Sequence, residues 1–219
     1  MRNILFFLPC TLLAATIAVE PSATVFENDS VKVVRALEKP HVKGKFHEHT
    51  TNRVMVYLQS GKQRFEYQDG RKPAVFEYKA GQVLFSKPEG MHSPEVISDE
   101  PFNIIEVELK KPGTGKKIVT PLDPPKIDPK HYKVELENDQ VRVLRAHMGP
   151  HEKTPMHAHT LGRVTVFLTD QNIRAIGEDG KESIGKHKAG DVVWADPRTH
   201  REENLNDGPF EVIAIEIKN

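Results

Sequence analysis

Two histidines one residue apart, His47 and His49, stand ahead of a β-branched and aromatic run in KFHEHTTNRVMVYL (Lys45 to Leu58). The same design returns in PMHAHTLGRVTVFL (Pro155 to Leu168), with His157 and His159 displaced by 110 positions. Side chains at i and i+2 of an extended segment leave the same face, so each pair can converge on one point. That is the geometry of two ligands for one metal ion. An arginine, Arg53 or Arg163, follows each pair four residues later. It stays protonated and offers no lone pair, so it cannot ligate, but its planar guanidinium suits a carboxylate.

The strands that must hold these residues are also written twice. VFENDSVKVVRA (Val25 to Ala36) matches VELENDQVRVLRA (Val134 to Ala146), Lys79-Ala80-Gly81 matches Lys188-Ala189-Gly190, and His92 matches His200. EPFNIIEVELK (Glu100 to Lys110) pairs with GPFEVIAIEIK (Gly208 to Lys218) at the ends of the copies. A register held through so many loops means duplicated domains. Short runs rich in Val, Ile, Phe and Tyr, separated by Gly, Pro, Asn and Asp, read as strands throughout, and no stretch sustains a period of 3.6. QDGR (Gln68 to Arg71) and EDGK (Glu178 to Lys181) each carry the Asp-Gly hairpin signal. Each copy is therefore expected to be an all-β sandwich or small barrel. Between them lies Lys111 to Tyr132, dense in Pro, Gly and Lys, which reads as a connector outside both; Ile118, Val119 and Leu122 could still pack across the two barrels and hold them together.

Composition excludes some partners. Lysine plus arginine equal aspartate plus glutamate at 31 each in 219 residues, so no global field invites nucleic acid or an anionic membrane. Arg2 followed by the apolar run Ile4 to Val19, with Thr16-Ile17-Ala18 at its end, reads as an export signal over residues 1–18 cleaved near Ala18, with no stable membrane insertion afterwards. The expected location is periplasmic or extracellular. Cys10, the only cysteine, lies inside that signal, so cysteine catalysis is excluded from the mature chain.

HxH, a strand, an Asp-Gly hairpin, Lys-Ala-Gly before an apolar strand and a Pro followed by a distal His together resemble the two motifs of the cupin superfamily, and two copies resemble the bicupins. The resemblance implies two tandem double-stranded β-helix, jelly-roll-like barrels over residues 25–110 and 133–219, joined by the linker 111–132. It implies a metal site of three histidines in each: His47, His49 and His92, then His157, His159 and His200. Cupins commonly supply a glutamate four or five residues after HxH, whereas this chain has Arg53 and Arg163. At most three protein ligands then remain for a divalent transition metal, Fe, Mn, Zn, Cu or Ni, up to two per chain. The second copy keeps the family's Asn four residues after the distal histidine, Asn204, where the first has Val96.

An ion and a guanidinium roughly 6 Å apart at a dielectric near 20 repel by about 5 kcal/mol, so something negative must sit with them. Glu95 and Glu203, three residues after the distal histidines, are one choice; an anionic ligand is the other. Strand alternation places Met55 and Tyr57, or Thr165 and Phe167, on the wall that carries each arginine. Tyr57, Glu95, Glu203, Arg53 and Arg163 are thus the candidate catalytic residues. His41 and His151, each after a proline, read as surface residues. Three functions fit: a metal-dependent oxygenase, isomerase or lyase acting on a small anionic organic acid or a phenolic or enediol compound; a non-catalytic exported binding protein for sugars or organic acids; and a duplicated structural protein with decayed sites.

Overall fold

The computed structural model describes residues 22–219, so the expected export signal and Cys10 lie outside the described residues. In the first copy the alternating runs form β1 (Ser22–Glu27), β2 (Val31–Glu38), β3 (His47–His49), β4 (Arg53–Tyr57), β5 (Gly61–Tyr67), β6 (Ala74–Tyr78), β7 (Val83–Ser86), β8 (Glu89–Val96) and β9 (Phe102–Leu109). A four-residue helix, α1 (Pro124–Ile127), precedes the second set: β10 (Tyr132–Glu137), β11 (Val141–Met148), β12 (His157–His159), β13 (Arg163–Phe167), β14 (Gln171–Gly177), β15 (Glu182–His187), β16 (Val192–Ala195), β17 (Arg198–Asn204) and β18 (Phe210–Ile217). Among the described residues no helix is long and apolar enough to cross a membrane.

The repeat in sequence is a repeat in topology. Each copy pairs a five-stranded sheet, β1-β2-β9-β4-β7 or β10-β11-β18-β13-β16, with a four-stranded one, β3-β8-β5-β6 or β12-β17-β14-β15. The two Asp-Gly turns close the β5–β6 and β14–β15 hairpins, with Gly70 and Gly180 at φ +87° and +74°, a conformation that glycine adopts without a Cβ penalty. His41 and His151 are the two non-glycine residues at positive φ among those described, and both are exposed. They recur because the same tight turn recurs.

In the five-stranded sheets β2, β4 and β9, like β11, β13 and β18, alternate between an apolar face that joins a shared core and a mixed polar and apolar face turned into the barrel. On β4, Arg53, Met55 and Tyr57 face into their own barrel, while Val54 and Val56 point outward to join one core with Val164 and Val166 of β13. Val31, Val33, Ile105 and Val107 meet Val141, Val143, Ile213 and Ile215 in the same layer. Each such fully buried side chain contributes about 1.5–3 kcal/mol. Two crossed contacts repeat the symmetry at the rim of this layer: Arg35 donates to the carbonyl of Gly190, and Arg145 to that of Gly81 at 2.6 Å.

Lys111 to Tyr132 corrects the expectation of a connector clear of both barrels. It is pinned to the second one. The Thr114 amide donates to the Lys218 carbonyl at 2.9 Å and the Ala158 amide to the Leu122 carbonyl at 2.8 Å. Asp123 pairs with buried Arg142 at 2.8 Å, and Tyr132 is the first residue of β10. Prolines keep the segment out of a ladder, but its carbonyls and carboxylates remain free to bond. Val119 is 88% exposed, so it packs across nothing.

Candidate metal centres

The three-residue strands β3 and β12 carry the HxH pairs, and antiparallel pairing with β8 and β17 sets His47 opposite His92 and His157 opposite His200. Each triad has one ligand atom per residue, all within 4.8 Å of one another. Ring centroids lie 4.6–5.3 Å apart in the first triad and 4.4–5.7 Å in the second.

A local device orients the rings. Nδ1 of His47 lies 2.9 Å from the Lys45 carbonyl, that of His92 2.7 Å from Gly90, and that of His157 3.0 Å from Pro155. A carbonyl oxygen can only accept, so the proton sits on Nδ1 and Nε2 keeps its lone pair for a ligand role. His159 uses a carboxylate instead, with Nδ1 3.0 Å from Glu216. Glu216 in turn takes Arg142 Nε at 2.6 Å, and Arg142 meets Asp123, so the ring is held by a buried chain of charges. Such outer partners fix a ligand's orientation and raise its basicity.

His200 is 2% exposed, yet neither ring nitrogen has a hydrogen-bond partner. Glu202 lies 3.4 Å from its Nδ1. An orphaned buried nitrogen costs about 1–3 kcal/mol unless something binds it. Three imidazoles converging on one point, one of them unpartnered, fit a divalent transition ion. The charge states agree: burial lowers the pKa of His157, His159, His200 and His92, and burial followed by Arg53 lowers that of His49 to about 3. These rings are neutral at pH 7, as ligation requires.

Arg53 and Arg163, 5% and 4% exposed, line the two chambers beside the histidines. Their surroundings differ. In the first chamber, about 240 Å³, Arg53 Nε lies 3.6 Å from Glu106, and Glu38 and Glu89 also line the wall with Tyr57. In the second, about 430 Å³, Arg163 donates to the Asp196 carbonyl at 3.1 Å and shares the space with Arg198 and Glu202. Burial, then Arg198, pulls the Arg163 pKa down to about 10, so it keeps its charge at pH 7.

Glu95 and Glu203 do not meet these arginines. Glu95 pairs with Arg64 at 2.5 Å and Glu203 with Arg174 at 3.3 Å, both on the outer side of the four-stranded sheets. The inward carboxylate on β17 is Glu202, two residues from His200 rather than three, as strand alternation demands. Glu38, Glu89, Glu106, Arg198, Glu202, Glu216 and Tyr132 were all missed. Tyr132, 4% exposed, sets its hydroxyl 3.2 Å from His157 Nε2. Asn204 is structural: its Nδ2 ties the Gly149 and Gly208 carbonyls at 2.8 and 3.0 Å.

No protein-family model and no curated protein matches the sequence. Solved structures do match. AerE from Microcystis aeruginosa superposes with a TM-score of 0.61 at 13% identity, over 90% of this chain and 97% of that one. Oxalate decarboxylase of Bacillus subtilis, in a study of its Mn(II) centres, gives 0.61 at 14% identity over 90% and 72%. A cupin 2 conserved barrel domain protein from Leptotrichia buccalis gives 0.54 at 13% over 90% and 88%. At such identity the likeness shows the fold alone, an all-β cupin fold.

Proposed function

We propose that the chain is an exported bicupin enzyme, with domains over 25–110 and 133–219, that uses a metal ion on His157, His159 and His200 to act on a small organic acid. The observation that carries this reading is the buried triad standing beside a chamber lined by Arg163 and Arg198, with Glu202 facing the same space and the Asp196 carboxylate taken by Trp194 Nε1 at 2.8 Å. A divalent ion beside these arginines would add positive charge that a bound anion can offset. Arg163 and Arg198 would bind and orient the acid's carboxylate, since guanidinium and carboxylate match geometrically. Glu202, 3.6 Å from Arg198 and facing the same space, stands where a proton can be accepted from the acid. Tyr132 covers His157 and keeps water from that side. A bound Fe, Mn, Zn, Cu or Ni ion would supply Lewis-acid or oxygen chemistry of oxygenase, isomerase or lyase type. The likeness in fold to an oxalate decarboxylase studied for its Mn(II) centres supports the class.

Turnover of a panel of small mono- and dicarboxylates, with and without Fe(II) or Mn(II), tests the reading. Arg163→Gln should weaken acid binding about tenfold or more while metal content and thermal midpoint stay near wild type, because Glu203 has its own partners. Unchanged acid binding in that variant would contradict the proposal. Saturable binding of an acid without turnover would instead favour an exported binding protein.

A further inference from the structure

The first chamber holds two buried polar side chains with unmet hydrogen bonds, and they are of opposite kind. Arg53 is 5% exposed, and its Nε and Nη1 have no hydrogen-bond partner. Glu106, opposite Met55 on β9 where the second barrel sets Ala214 opposite Thr165, approaches Nε only to 3.6 Å, too far for a hydrogen bond. Glu89 stands opposite His49 as Arg198 does opposite His159, but Arg71 already holds it at 2.7 Å. Gln63, 1% exposed, donates from Nε2 to Glu38 at 2.5 Å and keeps a buried Oε1 without a partner. Gln63, Phe65 and Tyr67 are the inward positions of β5, and Tyr67 pairs with His92, so Gln63 lies about 13 Å along the strand from the level of the triad. Phe65 stands between, and Tyr57, stacked on Tyr78 at 4.0 Å, continues the wall.

We propose that the first barrel binds a hydroxylated aromatic acid, with its carboxylate on Arg53 and its hydroxyl on Gln63. The assignment is independent of the reading of the second barrel above. An acceptor at Arg53 satisfies two buried N–H groups at once, and a carboxylate matches the guanidinium fork better than a neutral carbonyl does. Charge favours the same choice, because an ion on the three histidines adds positive charge beside Arg53 that a bound anion can offset. The Gln63 Oε1 can only accept, so the ligand must donate there, as a hydroxyl does. The aromatic wall between the two suits a flat ring, in a space of about 240 Å³. In the second barrel Ile173 and Met148 take the places of Gln63 and Glu38, so the hydroxyl end of the site belongs to the first barrel alone.

4-Hydroxybenzoate, benzoate and phenol separate the two ends of the site. Each is titrated by calorimetry into the Zn(II)-loaded full chain, as wild type and as Arg163→Gln, which removes the acid anchor proposed for the second barrel. In Arg163→Gln, 4-hydroxybenzoate should bind about tenfold or more tighter than either benzoate or phenol. Adding Arg53→Gln should weaken 4-hydroxybenzoate about tenfold or more and phenol less than about twofold; Arg53→Lys, which keeps the charge but not the fork, should still weaken the acid about threefold. Gln63→Ile/Glu38→Met, which installs the pair of the second barrel and orphans no carboxylate, should weaken 4-hydroxybenzoate about tenfold and leave benzoate unchanged. Binding of 4-hydroxybenzoate no tighter than that of benzoate or phenol, or indifferent to both Arg53 variants, would overturn the assignment, as would a hydroxyl preference that survives Gln63→Ile/Glu38→Met. Binding present in the wild type and lost in Arg163→Gln would place the acid in the second barrel, overturning this assignment while upholding the anion reading there.

Discussion

In the second barrel all three histidines are buried, whereas in the first His47 is exposed and His49 half-buried. The second triad is braced by Glu216, Arg142 and Asp123 behind His159 and covered by Tyr132, with residues 111–132 laid against the same barrel. At the matching strand positions in the first barrel, Glu108 meets Lys32 at 3.8 Å with both side chains partly exposed. A duplicated backbone thus delivers the same three imidazoles twice. What surrounds them is decided by single inward positions that the two copies no longer share.

Several measurements sharpen or break this contrast. Glu216→Ala should have the largest effect, because it frees the His159 ring and leaves Arg142 buried with Asp123 alone. It should cost about 3 kcal/mol of stability and lower metal affinity of the second barrel about 10–100-fold. Glu108→Ala, at the same place in the first barrel, should cost about 1 kcal/mol or less. Denaturant melts and metal titrations of the two variants side by side check this; equal losses would erase the distinction between braced and unbraced triads.

A pH-dependent difference follows from Glu38, whose counterpart is Met148. Burial, reinforced by Glu106 and opposed by the Gln63 hydrogen bond, raises its pKa from 4.5 to about 7. The unfolded chain releases this proton near the ordinary value and the folded chain holds it longer. Stability from this residue is therefore intact below the unfolded pKa of 4.5 and is lost as pH rises through about 7. In the metal-free protein, Glu38→Gln should gain up to about 3 kcal/mol near pH 8 and nothing near pH 4. A gain that is the same at both pH values would place the effect outside ionisation. The smallest effects should come from Glu95→Gln and Glu203→Gln, on the outer faces of both barrels: about 1 kcal/mol or less in thermal melts, with metal content unchanged. A loss of metal in either would return these carboxylates to the sites.

Much of the fold was legible because the repeat fixed it twice over: matched strands, Asp-Gly hairpins at Gly70 and Gly180, and HxH pairs on one face of a strand. The back-to-back packing was not legible in the sequence, because its residues, Val31, Val33, Val54 and Val56, look like the apolar face of any half-buried strand. The carboxylates were less accessible. Matching the copies by identity draws attention to Glu95 and Glu203, which are conserved between them, yet alternation from His200 points Glu202 inward and Glu203 out. Glu106 against Ala214, and Glu89 against Arg198, are differences between the copies, and Glu89 reaches its place only through a register shift that sequence spacing does not reveal. The docking of 111–132 depends on partners far along the chain, Lys218 and Ala158, and left no local pattern.

The most direct test of the account is anomalous scattering from crystals of the protein purified from its own host. The account predicts one transition-metal ion held by Nε2 of His157, His159 and His200, at occupancy equal to or above that of a second ion on His47, His49 and His92. An ion in the first barrel alone, or none on His200, would contradict it.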